Sequence, residues 1–420
     1  MDNVKFKSVG FFQNLTMLTI GNIIVRPIWI IFSIYLSSEY LGKEGFGIFN
    51  FTLSLMTVVA EMTDLGITHY ANRELVRQPH AGKVMLINVL MVKAISTAIV
   101  ITIVWGGAIL WGSKSMVIWA LIWAGLYSSL FRHLEFLRVF FRANRILIYE
   151  SLSMIVEKVL VVIGGISFLL LYYSPSGVLF GMLLGMFLTF IIVLLWIHYN
   201  MAEINMNYLN LGFVRSIYEL ALPMGLMGLF FMAYRYMGIL ILYFLYGEVA
   251  VGLYSLPLRI VETLQLIPTI LGTTIFAYFT KALFENRVND FMQMLQKSLL
   301  GLFITGWGAV LITWAGGYHL IEIFRPEFLP AKELIKILIF SFPITCINSI
   351  LVLALMSLDE QKFVAKIVAL IVFSSLLVNY FLILNFDVNG AIYAFIITDT
   401  VLCCALFFRT YWKIKIISAG

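Results

Sequence analysis

Long apolar segments recur along the whole chain, and they constrain its fold more than any other feature. Each is long enough to cross the hydrocarbon core of a bilayer, which needs about 20 residues of helix. The loops between them are short and leave no room for a soluble catalytic domain. The predicted spans are 11–36, 46–68, 84–112, 116–139, 147–172, 177–199, 217–246, 249–280, 297–318, 334–357, 362–384 and 388–411. The pattern predicts an all-α polytopic membrane protein with twelve transmembrane helices.

The composition agrees with this prediction. Hydrophobic residues make up 62% of the 420 residues and charged residues only 12%, whereas soluble domains carry about 25% charged residues. The net charge of +6 would suggest a nucleic-acid partner in a soluble protein. In a membrane protein, an excess of basic residues is expected in the cytoplasmic loops. Membrane lipids are therefore the expected surroundings, and no nucleic-acid partner is predicted.

Basic residues lie mostly on one side of the predicted helices. The loops on the opposite side carry only Lys43, Lys114, Arg325 and Lys332. Because cytoplasmic loops are enriched in lysine and arginine, both termini are predicted to be cytoplasmic.

The chain divides into two similar halves. The longest loop on the cytoplasmic side falls at its midpoint, and each half begins on that side, which predicts a parallel pseudo-two-fold repeat. The sequence from Gly42 to Gly47 matches the sequence from Gly247 to Gly252 in spacing and residue type. The predicted domains are an N-terminal lobe of helices 1–6 at 1–200, an interfacial linker at 201–216 and a C-terminal lobe of helices 7–12 at 217–420.

Three arginines lie at similar depth in apolar segments of the two halves. Arg26 precedes the first glycine-bracketed turn, and Arg235 and Arg259 flank the second. A charge near the middle of a bilayer costs at least about 2.5–3.5 kcal/mol, so an arginine there is a candidate functional residue. The pattern indicates a transporter that binds an anion between two lobes.

Several motifs together resemble one known family. They are Tyr40 to Asn50, Asp64-Leu65-Gly66, Arg73-Glu74-Leu75, Leu222-Pro223-Met224-Gly225 to Arg235, Val251 to Arg259, and Phe324 to Leu329. In order and spacing they resemble the polysaccharide flippases of the multidrug/oligosaccharidyl-lipid/polysaccharide superfamily, which export O-antigen and capsule repeat units.

The resemblance implies two six-helix lobes around a central cavity in the cytoplasmic (inner) membrane. It implies translocation of undecaprenyl-diphosphate-linked oligosaccharide from the inner to the outer leaflet for surface polysaccharide such as lipopolysaccharide. A polysaccharide polymerase and a chain-length regulator are the partners that such a pathway implies.

The candidate substrate-binding residues follow from the chemistry of a diphosphate and a glycan. An arginine fork donates paired hydrogen bonds to phosphate oxygens, which suits Arg26, Arg235 and Arg259. Tyr234 and Tyr236 flank one of these arginines and are candidates for stacking on sugar rings. Arg132 is a candidate for the mouth of the cavity, or it belongs to an ordinary cluster at the membrane interface.

The energy source is predicted to be an ion gradient of H⁺ or Na⁺, because the chain has no G-x-x-x-x-G-K-[ST] nucleotide-binding motif. Buried carboxyls can take up and release protons, so the ion-coupling candidates are Glu61, Asp64, Asp399 and Glu262. Asp64 has the rival interpretation of a helix-end residue.

For two pairs of charged residues, the spacing in the sequence predicts whether the side chains contact each other. Glu262 lies three residues after Arg259 and is expected to pair with it on one helix face. Glu157 and Lys158 are adjacent, so they are expected to point in different directions and form no site by themselves.

No metal site or cofactor is predicted. The five histidines and three cysteines show no metal-ligand spacing. Two other functions remain open: a multidrug cation antiporter of the same superfamily, and a membrane polysaccharide polymerase or glycosyltransferase. The first would favour carboxylates in the cavity. The second would need a large outward loop or an acidic pair at the outer helix ends.

Overall fold

The computed structural model describes residues 27–78 and 81–419. Within these ranges the chain is helical and contains no β-strand. A π-helix at Ile31–Leu36 leads directly into the first α-helix. The α-helices are α1 (Ser37–Asp64), α2 (Ile67–Arg77), α3 (Gly82–Leu110), α4 (Ser115–Ala143), α5 (Leu147–Tyr172), α6 (Pro175–Asn200), α7 (Leu211–Leu264), α8 (Leu266–Phe284), α9 (Val288–Trp314), α10 (Ala331–Leu338), α11 (Ser341–Ser357) and α12 (Gln361–Ala419).

The helices of the described residues match the twelve predicted spans once three long stretches are divided at a break. Nine helical stretches of the described residues are long and apolar enough to cross a membrane. Three of them, Pro27–Asp64, Gly225–Phe284 and Gln361–Ile416, contain 38, 60 and 56 residues. Because a helix rises about 1.5 Å per residue, these three exceed a bilayer core of about 30 Å. Each contains a non-helical residue, at Gly42, Gly247 and Asp387 respectively, so each corresponds to two of the predicted spans.

The two glycine-bracketed turns have the same backbone conformation. Gly42 has φ 65° and ψ −179°, and Gly247 has φ 75° and ψ −168°. Only glycine adopts this region readily, because a Cβ atom would be strained there. The sequence match between the two halves therefore corresponds to a structural match at its first glycine.

Replacing Gly247 with alanine is expected to destabilise the protein by about 1–3 kcal/mol through backbone strain alone. The space around Gly247 is open, so the added methyl group meets no neighbour within 4 Å. Thermal unfolding in detergent would measure the loss. Gly301→Ala in α9 is the matched control, since that glycine is also open to a methyl group but helical; it should be neutral or stabilising. Equal melting temperatures for the two variants would contradict the strain argument.

The chain separates into two compact units, the first ending at Met232 and the second beginning at Ala233. In the first unit, α5 and α6 approach closely through glycines. A Cβ atom on Gly181 would lie 2.9 Å from the Cβ atom of Phe168 and closer still to the backbone of Gly164. In the second unit, a Cβ atom on Gly306 of α9 would lie 2.6 Å from Pro343 of α11. Small residues at such positions allow helix backbones to pack together in membranes.

The segment between α6 and α7 is attached to α3 through Asn88. The Asn88 Nδ2 atom donates a hydrogen bond to the Tyr208 carbonyl oxygen at 2.8 Å. The Asn210 backbone N–H donates to Asn88 Oδ1, also at 2.8 Å. Lys83 adds an ion pair with Glu203 at 3.8 Å. The boundary between the two compact units falls inside α7, after Met232. The domain limits at 200 and 217 stay a prediction.

Candidate functional site

Arg235 and Arg259 converge on one carboxylate in the second unit. The Arg235 Nη2 atom lies 3.0 Å from Glu262 Oε1, and its Nε atom donates to the same oxygen at 3.1 Å. The Arg259 Nη1 atom lies 2.9 Å from the other oxygen, Oε2. The pairing of Arg259 with Glu262 expected from their spacing is therefore present. Glu262, the partner of Arg235, lies in the second half of α7, beyond the break at Gly247. The distance of 27 residues between them in the sequence does not predict this contact.

This arginine pair lies near the middle of the membrane and is partly accessible. Arg235 and Arg259 are each twelve residues from Gly247, so both lie about 18 Å from the turn at 1.5 Å per residue. Their side chains are 35% and 20% exposed, and that of Glu262 is 12% exposed. Two arginines and one glutamate leave a net charge of +1 on these three groups. The Tyr236 ring lies beneath Arg259, with its centroid 5.9 Å from the guanidinium carbon.

Asp399 forms a second buried acidic position in the same unit. Its Oδ1 atom accepts a hydrogen bond from the Tyr234 hydroxyl at 2.8 Å and one from Asn348 Nδ2 at 3.2 Å. Its Oδ2 atom accepts from the Thr345 hydroxyl at 3.0 Å. All three partners are neutral, and among the described side chains no basic group forms an ion pair with Asp399. Asn348 Oδ1 is buried without a hydrogen-bond partner.

The acidic candidates of the first unit each have a basic partner from another helix. Glu61 forms an ion pair with Arg132 of α4, and Asp64 forms one with Lys93 of α3. The Lys93 ammonium also donates to the Arg132 carbonyl oxygen at 2.8 Å, while the Thr68 hydroxyl donates to Asp64 Oδ1 at 2.5 Å. Lys93 is completely buried. The two acids thus belong to one electroneutral network with two bases.

Two family-like motifs meet beside this network. A Cβ atom on Gly66, which has φ +81°, would lie 2.5 Å from both Ala221 O and Gly225 N. Gly228 lies one turn after Gly225 in α7, and a Cβ atom on it would lie 2.7 Å from Glu61 Oε1. The glycines of Asp64-Leu65-Gly66 and Leu222-Pro223-Met224-Gly225 therefore allow the start of α7 to pack directly on the end of α1.

A further ionic cluster connects α4 and α5 around Arg138. This arginine donates to Glu135 at 2.5 Å, to Glu157 at 2.6 Å and to the Ser153 hydroxyl at 2.9 Å. The expectation that Glu157 and Lys158 point apart is wrong, because the Lys158 ammonium lies 2.6 Å from Glu157. Glu157 is held between two cations, because Arg138 contacts it from α4 and Lys158 bends around α5 to reach its other oxygen.

The first arginine of the predicted trio, Arg26, lies outside the described residues. The sequence argument gave no role to Lys93, Thr345 or Asn348. Thr345 and Asn348 are ordinary residues of an apolar segment, so only their contact with Asp399 shows their importance. No group of three or more histidine, cysteine, aspartate or glutamate side chains suited to a metal occurs in the described ranges.

Two acidic residues outside the spans are held ionised by basic neighbours. Glu360 lies between α11 and α12, and hydrogen bonds from Lys413 and Arg409 lower the pKa of its carboxyl. Glu322 lies between α9 and α10, where hydrogen bonds with Lys332 and His319 lower its pKa. Both groups lie outside the predicted spans.

Solved structures of membrane transporters share this fold. The inward-facing conformation of a multidrug resistance MATE family transporter of the MOP superfamily matches with a TM-score of 0.78 and 14% identity, covering 97% of this chain and 99% of that one. The outward-facing conformation matches with a TM-score of 0.68 and 14% identity over 96% of both chains. A MOP superfamily transporter from Pyrococcus furiosus, described as having a binding pocket of reverse polarity, matches with a TM-score of 0.65 and 13% identity, covering 97% of this chain and 96% of that chain.

The sequence comparisons are more specific about the family. No curated protein sequence matches the chain significantly. The family model described as "Polysaccharide biosynthesis protein" matches residues 11–283, which is more than half of the chain. The match confirms the resemblance inferred from the motifs, and the structural likeness confirms the predicted all-α, twelve-span fold class. This multi-pass membrane protein belongs to the polysaccharide biosynthesis protein family and has the fold of MOP superfamily transporters.

Proposed function

We propose that this protein is a flippase for lipid-linked oligosaccharide. It would move an undecaprenyl-diphosphate-linked glycan from the inner to the outer leaflet of the cytoplasmic membrane by alternating access, for surface polysaccharide biosynthesis. Both termini would be cytoplasmic, as the distribution of basic residues predicts. Within this proposal, Arg235 and Arg259 bind the diphosphate.

The observation that carries the proposal is the shared carboxylate of the two arginines. Near the middle of the membrane two guanidinium groups share one carboxylate, so the three groups Arg235, Arg259 and Glu262 together carry a net charge of +1. A charge in that position is expensive and is generally kept for function. Both guanidinium groups present planar forks suited to phosphate oxygens. The positive charge favours a bound anion over a bound cation.

A reconstituted leaflet-transfer assay tests the function directly. Proteoliposomes would carry fluorescent undecaprenyl-diphosphate oligosaccharide in the inner leaflet, and its appearance in the outer leaflet would be detected by a membrane-impermeant quencher. Protein-dependent transfer is the expected result. Parallel vesicles loaded with ethidium would test a cationic drug. Transport of ethidium without transfer of the glycolipid would contradict the proposal.

Replacing Asp399 with asparagine is expected to abolish the stimulation of transfer by an ion gradient while leaving glycolipid binding within about twofold. Asparagine has nearly the same shape: its carbonyl oxygen can accept the hydrogen bond from Tyr234, and its NH2 group can donate to the Thr345 hydroxyl. It cannot take up a proton or balance the charge of a sodium ion. The measurement is transfer with and without imposed H⁺ and Na⁺ gradients. Asp359→Asn, at an exposed turn, is the control. Unchanged stimulation in the Asp399 variant would remove this residue from the coupling role.

A multidrug cation antiporter remains the second candidate, because one observation favours it. Asp399 is a buried carboxyl held by neutral donors, and such a group attracts cations. The solved neighbours with the highest TM-scores given above are also described as multidrug transporters. Ethidium binding that is lost in Asp399→Asn but kept in Arg235→Ala would support this alternative.

A further inference from the structure

A groove in the second unit lies between α9 and α12. Both helices pack on α11, and the space between them has a volume of about 500 Å³. Leu351 of α11 contributes to its lining and is 1% exposed, so it forms the floor. Ligand sites in proteins are typically concave, mostly apolar and about 300–1,000 Å³ in volume. The groove is therefore large enough to hold part of a lipid molecule.

The walls of the groove are one apolar face of each helix. Met292, Leu295 and Leu299 line it from α9, and Phe407 and Ile414 line it from α12. Residues at intervals of three, four or seven lie on the same face of a helix, so each helix presents a continuous apolar strip. Phe407 is 51% exposed, which shows that the groove is open along this edge. Its interior suits a hydrocarbon chain.

One end of the groove is polar and basic. Gln296 of α9 and Lys415 of α12 line it there, and both are exposed. Arg409 and Lys413 lie nearby on α12 and share the carboxylate of Glu360. The three cations and one carboxylate give these four groups a net charge of +2. This end of the groove therefore attracts an anion.

The basic end lies at the level of the lipid headgroups. The break at Asp387 divides α12 into two spans, so the break is at one membrane surface and the end of α12 is at the other. At 1.5 Å per residue, Phe407 and Lys415 lie about 30 and 42 Å beyond the break. A bilayer is about 30 Å thick without its headgroups and about 40–45 Å with them. A break in one headgroup layer places Phe407 in hydrocarbon near the opposite surface and Lys415 among the headgroups there.

We propose that this groove binds one anionic phospholipid of the membrane. An acyl chain packs on the apolar walls, and the headgroup phosphate accepts hydrogen bonds from the Lys415 ammonium and the Gln296 amide. Basic pockets between transmembrane helices are places where anionic headgroups bind. In the orientation proposed above, the lipid comes from the cytoplasmic leaflet. The inference does not depend on which substrate the protein transports.

The test measures lipid binding by native mass spectrometry of the detergent-solubilised full-length protein. The probes are phosphatidylglycerol and phosphatidylcholine with identical acyl chains, so that only the headgroup charge differs. Wild-type protein should bind one phosphatidylglycerol more tightly than one phosphatidylcholine. Lys415→Gln should weaken phosphatidylglycerol about fivefold and leave phosphatidylcholine unchanged. Lys366→Gln is the matched control, because this lysine is exposed near the start of α12 and lies outside the groove; it should bind both lipids like the wild type.

A second pair of variants tests the apolar walls. Leu299→Trp should weaken both lipids, since the larger indole occupies the space of the acyl chain. Leu300→Trp is its control, because Leu300 is the next residue of α9, is 61% exposed and does not line the groove. Thermal unfolding of each variant without added lipid confirms that folded proteins are compared. In the wild type, phosphatidylglycerol should raise the melting temperature more than phosphatidylcholine does, because a ligand of the folded state stabilises it.

Three results would overturn the phospholipid site. Equal affinities of the wild type for the two lipids would mean that only adventitious annular lipid binds. Equal losses in Lys415→Gln and Lys366→Gln would show a general effect of surface charge. Undecaprenyl phosphate is the competing probe: if it binds through Lys415 and displaces phosphatidylglycerol, the groove belongs to a prenyl lipid. None of these results bears on the leaflet-transfer assay, so the proposed function is tested separately.

Discussion

Arg235→Ala is expected to lower the affinity for undecaprenyl diphosphate about 10- to 100-fold and to reduce leaflet transfer at least as much. A hydrogen bond to a charged group contributes about 1.5–3 kcal/mol, and each 1.4 kcal/mol corresponds to about a tenfold change. In the variant, Glu262 still has Arg259 as a partner at 2.9 Å, so no buried carboxylate is left alone. The loss should therefore appear in binding and transfer while the melting temperature changes little.

Two further substitutions define what Arg235 supplies. Arg235→Lys keeps the charge and removes the planar fork, so its affinity should fall between those of the wild type and the alanine variant. Arg409→Ala is the matched control in the same unit, because Arg409 lies on another helix, α12, and binds Glu360 between α11 and α12. It should bind the lipid like the wild type. Equal losses in Arg235→Ala and Arg409→Ala would indicate a general effect of removing arginines.

Glu262→Gln distinguishes binding from packing. If the arginines only stabilise the fold, removal of their shared carboxylate should destabilise the protein and leave anion affinity unchanged. If they bind phosphate, Glu262 competes with the substrate, and its neutralisation should tighten binding of undecaprenyl diphosphate. We expect tighter binding together with slower transfer, since the substrate would be released less readily. Weaker binding in Glu262→Gln would contradict the phosphate role of the pair.

Arg138→Met is expected to be the most destabilising of these substitutions, at about 3–5 kcal/mol, because it removes one partner from a buried ionic cluster. Arg138 is 1% exposed and contacts Glu135, Glu157 and Ser153. Methionine fills much of the volume, but it leaves the Ser153 hydroxyl without its N–H donor and each carboxylate with one fewer cation. Unfolding of the purified protein, followed by heating or by denaturant, measures the loss.

Arg142→Met provides the comparison on the same helix. Arg142 also contacts two carboxylates, Glu150 at 2.6 Å and Glu135 at 3.4 Å, but its side chain is 31% exposed. Water can replace part of its hydrogen bonding, so the loss of stability should be clearly smaller. If Arg142→Met lost as much stability as Arg138→Met or more, burial would not determine how much each arginine of this cluster contributes to the free energy of unfolding.

The sequence predicted the membrane-crossing pattern well because hydrophobicity acts locally. A run of about 20 apolar residues must be helical in lipid, since only then are its backbone groups hydrogen-bonded. The turns at Gly42 and Gly247 were also predicted from the sequence, because both positions need a backbone conformation that favours glycine. The motifs likewise identified the family that the sequence comparison confirms. The roles of Arg26, Arg235 and the other candidates stay predictions.

The partners of the charged residues were predicted poorly. Spacing along one helix indicated the Arg259–Glu262 pair, but it did not indicate that Arg235 shares the same carboxylate. It also failed for Lys158, which binds Glu157 and lies over Trp29. The contact of Arg235 with Glu262 joins the two halves of α7 across the break at Gly247. The contact of Lys158 with Glu157 requires a side chain to bend around the helix, and its contact with Trp29 joins separate helical segments. None of these appears in a pattern of spacing.

The sequence by itself therefore determined the fold class, the position of the two turn glycines and the family of this protein. Those properties follow from the transfer of each segment into lipid and from the backbone preferences of single residues. Only the tertiary structure decided which acids and bases are paired with each other. The rotation and separation of neighbouring helices, set by close contacts such as Phe32 against Gly165, bring distant side chains within hydrogen-bonding distance. The ion pairs of Glu61, Asp64 and Glu157, and the carboxylate that Arg235 shares with Arg259, are consequences of that packing.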